Sequence, residues 1–453
     1  MEILENRVHR FSPPFAALMS FEPEPSVVLP SSDPATAYAA DIARLKQNGP
    51  FGPRDDVWLL LAHALVRLGA MSSEEQREAL APMADTIAAS ALAAGLPADS
   101  MEIRAAHALA GLGNPWTVGE SGNEAATALV FAIQAVAESQ EQKGASQLAY
   151  ATLHGLLETL GDGIPPERLG YVLAQQGRAS RELGYNDVAS SLYNSAVHIG
   201  HDCSSQGLVA RGLVGLGSMA IARGNYPEAR SLFQQARTHA DAAADATQLR
   251  NAHHGLQNCG FASGDMDAAL VHGWNVLRLS HGPDARAEAL LNMAEVCRLT
   301  NEHDVAIRAY AVVIASTTQP RLRMHALSSA LICAIELKQT ALAERYRDEL
   351  QEVLASVPDP YGRASTSVEL SISLYRMGDE RAARLALGEA SAIARDRGYH
   401  EITYRVDQAL SQWDAPTVAS EPNADVTVRK KPVRSESFRT ILRSMKGLTA
   451  ASL

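Results

Sequence analysis

Two segments of this 453-residue chain, 173–196 and 213–236, align with each other without a gap. Each contains a glycine, a second glycine seven residues later, and an alanine five residues after that. An aromatic residue follows four positions further on, Tyr193 in the first segment and Phe233 in the second. A sequence that repeats in this way must bury the same face in every unit, so it restricts the fold to a stack of similar units.

The same spacing continues towards the C-terminus. The alanine recurs after 40, 40, 37, 37 and 40 residues. Each alanine follows a residue placed to form a tight turn, most often glycine, which readily adopts the left-handed conformation that closes a helix. Because small residues also let two antiparallel helices approach closely, the pattern predicts helix hairpins. The predicted turn residues are Gly184, Gly224, Gly264, Asn301, Lys338 and Gly378.

These segments resemble the tetratricopeptide repeat family, with a period longer than the usual 34 residues. The resemblance covers roughly residues 166–414, or about six hairpins, and is closest in the second repeat. It weakens from the third repeat onwards, where Gly273, Arg347 and Leu387 take the place of the aromatic residue. The resemblance implies an all-α protein, a right-handed α-solenoid of the kind found in bacterial regulators and signalling scaffolds.

The remaining residues divide into three regions. Residues 1–35 hold six of the chain's 21 prolines, which predicts an extended arm because proline fixes φ and removes a backbone donor. Residues 36–165 have helical periodicity, and predict either further, divergent hairpins or a separate helical cap. Residues 415–453 predict a flexible basic tail that contains a short amphipathic segment at 437–448.

By the same resemblance, the first helix of each hairpin lines a concave groove that binds a partner. Asn251, His254 and Asn258 are spaced i, i+3 and i+7, which places them on one helical face. Asparagine amides can pair with an extended peptide backbone, while arginines would attract its acidic groups. The alternative, that these are ordinary solvated side chains, stays open. The predicted groove residues are Arg178, Arg181, Arg211, Asn251, His254, Asn258, Glu295 and Arg298.

The C-terminal tail differs in charge from the rest of the chain. The whole chain has a formal net charge of −11, yet residues 426–453 carry seven Lys or Arg and one acid. This asymmetry is typical of interaction segments, and the tail could dock on a partner, on its own acidic solenoid or on an anionic membrane. We also expect its deletion to leave thermal stability nearly unchanged. The predicted docking residues, an apolar stripe with flanking cations, are Phe438, Arg439, Ile441, Leu442, Arg443, Met445 and Lys446.

Several function classes are disfavoured by the sequence. The acidic net charge argues against a general nucleic-acid binder, the basic tail being the one exception. There is no GxxxxGK[ST], GxSxG or HExxH motif, and the four cysteines are too dispersed for a metal knuckle or a disulfide framework. We therefore expect no catalytic residue, metal or cofactor. No signal peptide or long apolar run is evident, which predicts a cytoplasmic protein without a membrane-spanning helix; frequent Ala and Arg hint at a bacterial source.

Together these features predict a non-catalytic adaptor or scaffold that holds a protein or peptide segment in the concave groove. Two alternatives stay open. The first is a peptide-sensing regulatory protein that acts on an effector or on the transcription machinery. The second is an enzyme with an unrecognised site in residues 36–165. The sequence names neither the partner nor an oligomeric state.

Overall fold

A computed structural model describes residues 53–69, 71, 73–112, 120–142, 145–357, 359–414 and 434–449. These residues form nineteen α-helices and one 3₁₀ turn, and no β-strand occurs among them. The predicted extended arm at 1–35 lies outside the described residues, as does most of the predicted flexible tail. In the described part of the chain, no helix combines the length and apolarity needed to cross a bilayer. The cytoplasmic location stays a prediction.

The chain divides into two compact units, Met1–Gln248 and Leu249–Leu453. The helices of the first unit are α1 (Pro53–Gly69), α2 (Ser73–Ala93), α3 (Met101–Leu112), α4 (Glu120–Gln142), α5 (Ser146–Leu160), α6 (Pro166–Glu182), α7 (Asn186–Asp202), α8 (Gln206–Ala222) and α9 (Tyr226–Ala242). From α4 to α9, each helix packs against the next one in the chain, as stacked hairpins must.

The second unit starts inside α10. Its helices are α10 (Ala246–Ser263), α11 (Met266–Leu279), α12 (Pro283–Leu299), α13 (His303–Ser316), α14 (Pro320–Glu336), α15 (Thr340–Ser356), α16 (Pro360–Arg376), α17 (Glu380–Arg397), α18 (His400–Asp414) and α19 (Glu436–Lys446). The six predicted hairpins are α6–α7, α8–α9, α10–α11, α12–α13, α14–α15 and α16–α17, so the all-α solenoid is confirmed. The two hairpins with a 37-residue period have second helices of 14 residues, one turn shorter than their neighbours.

The predicted turn residues are confirmed as the points where the first helices end. All six have positive φ, including the non-glycine residues Asn301 and Lys338 at 60° and 57°. The next residue then donates its N–H to a carbonyl near the end of the helix, as Tyr185 does to Ser180 at 2.9 Å. This is the bonding of a Schellman cap, which satisfies carbonyls that a helix end leaves unpaired.

The glycines of the first helices make room for aromatic rings. A Cβ on Gly215 would lie 2.2 Å from Cε1 of Tyr193, and one on Gly217 would lie 2.8 Å from the Phe233 ring. Both rings are buried. Close helix packing therefore depends on glycine here, as the sequence pattern predicts.

The N-terminal helices do not follow a simple order of neighbours. Helices α4 and α5 pack in sequence against α6, whereas α1 packs mainly against α5, four helices further along the chain. A buried carboxylate, Glu102 of α3, accepts hydrogen bonds at 2.8 Å from both Arg54 Nε and Trp58 Nε1 of α1. Desolvation opposes the charge of Glu102, yet these bonds hold its pKa below the usual value. The assignment of residues 36–165 as divergent hairpins stays a prediction.

Candidate functional site

Four positions recur on the first helix of every hairpin, at 13, 10, 6 and 3 residues before the turn residue. Their spacing of 3, 4 and 3 residues places them on one helical face, here called the first-helix stripe. All eight predicted groove residues occupy these positions; for example, Arg178 and Arg181 lie six and three residues before Gly184. Each of the eight is partly or fully exposed, while the residues between them are mostly buried. These eight side chains thus lie on a face of the first helices that a ligand can reach.

In the first unit, Arg178 already lies between two carboxylates. Its Nε is 3.6 Å from Oε2 of Glu141 and 3.5 Å from Oε1 of Glu182. Arg181 adds a longer contact of 3.9 Å to Glu182, and the Arg211 guanidinium lies 5.6 Å from the centre of the Tyr171 ring. An acidic ligand would therefore have to compete with resident carboxylates for these arginines.

Glu141 is the most perturbed group of this cluster. Its side chain is 1% exposed, and its second oxygen, Oε1, accepts no hydrogen bond in the described structure. Desolvation raises the pKa of Glu141 to about 7, against the opposing attraction of Arg178. A carboxyl group that is kept desolvated beside a reachable arginine is a candidate for a functional role.

Sequence reasoning missed Glu141, although the repeat contains the signal. Gly144 stands 40 residues before Gly184, so Glu138 and Glu141 stand six and three residues before a glycine at the spacing of the repeat. Gly144 itself lies outside the described residues. The adjoining cap bond is present, however, because Ala145 N–H donates to the Gln140 carbonyl at 2.8 Å. Extending the period by one unit would have added α4–α5 to the predicted hairpins and Glu141 to the predicted stripe residues.

In the second unit, Asn251, His254 and Asn258 lie along α10, as their spacing predicts. His254 is exposed, whereas its neighbour His253 is buried and meets His272 with 3.0 Å between their Nδ1 atoms. Desolvation lowers the pKa of His254, which Glu288 partly offsets. Glu288 of the following first helix, α12, is thus close enough to affect the His254 ring electrostatically.

Glu295 and Arg298 of α12 bind each other. Two nitrogens of the Arg298 guanidinium donate to the Glu295 carboxylate, with Nε at 2.9 Å from Oε2. The buried Tyr310 of α13 donates its hydroxyl to the same Oε2 at 2.9 Å, and the hydrogen bonds with Glu295 raise the pKa of Arg298. The structure thus brings these two predicted residues together as an oriented pair held by α13.

The stripe becomes apolar further along the second unit. Ile332 and Ile335 occupy the corresponding positions of α14, and Ile372 of α16 is 41% exposed. Tyr375, three residues on, stacks on Trp413 with ring centres 4.5 Å apart. A ligand along this face would meet amides and charges at one end and aliphatic groups at the other. The predicted groove does not extend to these residues.

The predicted tail-docking segment is the helix α19, which packs against α11 and α13 of the second unit. Phe438, Ile441 and Met445 are buried in its core, Leu442 is half-buried, and Arg439 and Arg443 are exposed. Burial of three apolar side chains argues against the expectation that deletion of the tail leaves thermal stability nearly unchanged.

Each end of α19 is held by an aspartate. Asp267 accepts from the Ser435 backbone N–H at 2.7 Å and from Arg434 Nη1 at 3.2 Å. At the other end, Lys446 Nζ lies 3.5 Å from Oδ2 of Asp304. Between the ends, Met445 Sδ lies 3.8 Å from Sγ of Cys297 on α12. Of the predicted cations, Lys446 therefore has a resident partner.

Two other places bear on the open alternatives. A cleft of about 640 Å³ between α3 and α4 is lined mainly by alanines, together with Arg104, His107 and Glu124. Cys297 and Cys333 are buried, and desolvation raises the pKa of both thiols to about 12, which disfavours the reactive thiolate. Within the described ranges, no three His, Cys, Asp or Glu side chains are grouped to hold a metal ion.

No protein-family model matches the chain, and no curated protein matches it. Solved structures do. A Signal Transduction ATPase with Numerous Domains protein with a tetratricopeptide repeat sensor, from Pyrococcus horikoshii, is 11% identical with a TM-score of 0.51. The match covers 84% of this chain and 68% of that one.

Two further matches have a TM-score of 0.45 and cover 82% of this chain and 100% of theirs. One is a Rap protein complexed with competence and sporulation factor, at 11% identity. The other is the Rap conjugation gene regulator of the plasmid pLS20 in complex with the Phr* peptide, at 14%. At such identities a likeness shows the fold alone, and the P. horikoshii structure agrees with the repeats described above: the chain folds as a tetratricopeptide-like α-solenoid.

Proposed function

We propose that this protein is a non-catalytic binding module whose first-helix stripe holds a protein or peptide segment. The observation that supports it is the accessibility of the predicted groove residues: eight polar or charged side chains occupy four repeat positions and reach solvent, while the residues between them are mostly buried. A structural role would not require polar side chains at these eight places, because none of the eight belongs to the buried apolar core.

The second unit suggests the chemistry of the ligand. Asn251 and Asn258 present amides, which can both donate to and accept from a peptide backbone. The oriented Glu295–Arg298 pair offers one charge of each sign, and Ile332 and Ile372 offer aliphatic contact. The ligand that fits is a peptide segment with a polar half and an apolar half, bound through its backbone and a few side chains.

The test is affinity capture from a lysate of the source organism with three baits. These are the wild type, the stripe variant Asn251→Ala/Asn258→Ala, and a matched control, Gln234→Ala/Gln351→Ala, whose amides lie exposed on second helices. We expect a protein that the wild type and the control retain, and that the stripe variant loses by about tenfold or more.

Overlapping synthetic peptides of the captured protein would then map the bound segment by fluorescence anisotropy. Equal capture by all three baits would place the binding site elsewhere on the chain. Absence of any specific partner, with all baits folded by circular dichroism, would contradict the adaptor function.

A second candidate, the peptide-sensing regulator, is favoured by one contact. Helix α12 carries Glu295 and Arg298 on the stripe, and its Cys297 touches Met445 of α19. A ligand that shifts α12 would therefore alter the surface on which α19 packs. Helix α12 is thus a shared element of the kind that couples two sites. Ligand-dependent change in hydrogen exchange across residues 436–446 would support this candidate, and unchanged exchange at saturating ligand would exclude it.

A further inference from the structure

The surface under α19 is covered by a helix with a distinctive pattern. Its occupant begins with a serine N-cap, because Ser435 Oγ accepts from Phe438 N–H at 3.1 Å. Phe438, Ile441 and Met445 follow at i, i+3 and i+7 and are buried. We call the surface of α11 and α13 that they cover, together with Asp267 and Asp304, the tail seat.

The two aspartates of the tail seat occupy equivalent positions in two neighbouring hairpins. Asp267 and Asp304 both stand three residues after a turn residue, in the third and fourth hairpins. Two neighbouring aspartates can therefore hold a cation at each end of one three-turn helix. No other neighbouring pair among the six hairpins offers this, since the residues at that position in the first, second, fifth and sixth are Asp187, Pro227, Ala341 and Arg381.

The contacts of α19 are those of a docked ligand rather than of a structural layer. The helix has 11 residues, too few to be stable alone. Its terminal ion pair is about half exposed, at 49% for Lys446 and 51% for Asp304, so salt screens it. The hairpins beneath also close a core of their own, because α11 to α15 contribute most of the buried cluster to which Phe438 belongs.

We propose that the tail seat is a docking site for a basic amphipathic helix of a partner protein, and that the chain's own C-terminal helix blocks it. The partner helix carries an N-cap, a large apolar residue followed by others at i+3 and i+7, and a cation at each end. Exchange occurs when that helix displaces α19. This proposal concerns a different surface from the first-helix stripe and stands independently of the function proposed above.

The experiment uses the full chain and a dye-labelled synthetic peptide of residues 434–449 as the probe. A vacated-seat variant, Phe438→Ala/Ile441→Ala/Met445→Ala, frees the seat, and binding is measured by fluorescence anisotropy. A matched control, Arg439→Ala/Arg443→Ala, alters only the exposed face of α19. We expect the peptide to bind the vacated-seat variant at least about 30-fold more tightly than the wild type or the control, where the tethered helix competes at high effective concentration.

A charge exchange then tests the register. Asp304→Lys in the vacated-seat variant should weaken peptide binding about fivefold, and the Lys446→Asp peptide should restore it. The proposal is overturned if the folded vacated-seat variant does not bind the peptide at about 0.5 mM, since that is far weaker than any useful docking site. It is equally overturned if that variant loses its helical circular dichroism, because α19 would then be an integral part of the core.

Discussion

Replacement of Glu141 by glutamine should stabilise the first unit, with a gain that grows as pH rises from about 4.5 to 7 and is then constant. Burial raises the pKa of Glu141 from 4.5 to about 7, and Arg178 only partly opposes this. In the unfolded chain the carboxyl ionises near 4.5, so between that pH and 7 the folded state holds the extra proton. Stability due to this group therefore falls as pH rises through that window, by about 3 kcal/mol in total.

Glutamine resembles the protonated carboxyl, so Glu141→Gln should recover most of that free energy at pH 8 and almost none at pH 4.5. Urea unfolding, followed by circular dichroism at pH 5, 6, 7 and 8, measures the difference. Glu138→Gln, on the exposed face of the same helix, is the control and should change stability by less than about 0.5 kcal/mol. A gain that is the same at pH 5 and pH 8, or no gain at all, would refute the reasoning.

Three further substitutions test the packing. Gly215→Ala should destabilise by about 1–2 kcal/mol in urea unfolding, because its Cβ would lie 2.2 Å from the Tyr193 ring and only part of that strain is offset by better helix propensity. Gly388→Ala, in α17 with no atom within 4 Å of the added Cβ, should instead stabilise by about 0.5–1 kcal/mol. If Gly215→Ala stabilised the protein and Gly388→Ala destabilised it, the space around the added Cβ would not explain either glycine. Tyr310→Phe should lower stability by about 1 kcal/mol through loss of the hydrogen bond to Glu295, and an unchanged unfolding midpoint would mean that water replaces it fully.

Much of the fold could be predicted from local chemistry. Each hairpin needs a residue with positive φ where its first helix ends, and this requirement recurs at the spacing of the repeat. Gly184, and even the non-glycine Lys338, could therefore be identified from spacing. The stripe followed from helical periodicity once the turns were placed. Burial of Cys259, Cys297 and Cys333 was likewise predictable, because each recurs near the same place on a first helix.

The third repeat was harder because two positions exchange their sizes. In the first two hairpins a glycine faces an aromatic ring, but here Gln257 stands at the small position and Gly273 at the large one. A Cβ on Gly273 would lie 2.5 Å from Nε2 of Gln257, so the glutamine fills the space that a ring fills elsewhere. A position-by-position comparison with the first two repeats counts two mismatches here. The combined volume of the two side chains is nevertheless similar, so the helices can pack in the same way.

The location of the tail seat could not be predicted from the sequence, for a different reason. Its amphipathic pattern predicts that the helix docks, but the partners of Arg434 and Lys446 lie far away in the chain. Asp267 resembles any acidic residue at a helix N-terminus until the tertiary structure places a cation beside it. In the sequence, only the presence of an aspartate at the same position of two neighbouring hairpins could have indicated where α19 docks.

The distance along the chain between α19 and its seat has a consequence for synthesis. Ser435 contacts Asp267 across 168 residues, whereas the hairpins pack against their neighbours in the chain. On the ribosome the third and fourth hairpins emerge and can fold long before residues 436–446 have been translated. Every newly made molecule therefore passes through an interval in which its tail seat is uncovered, and a chaperone or a waiting partner helix has access to it before the protein's own C-terminus does.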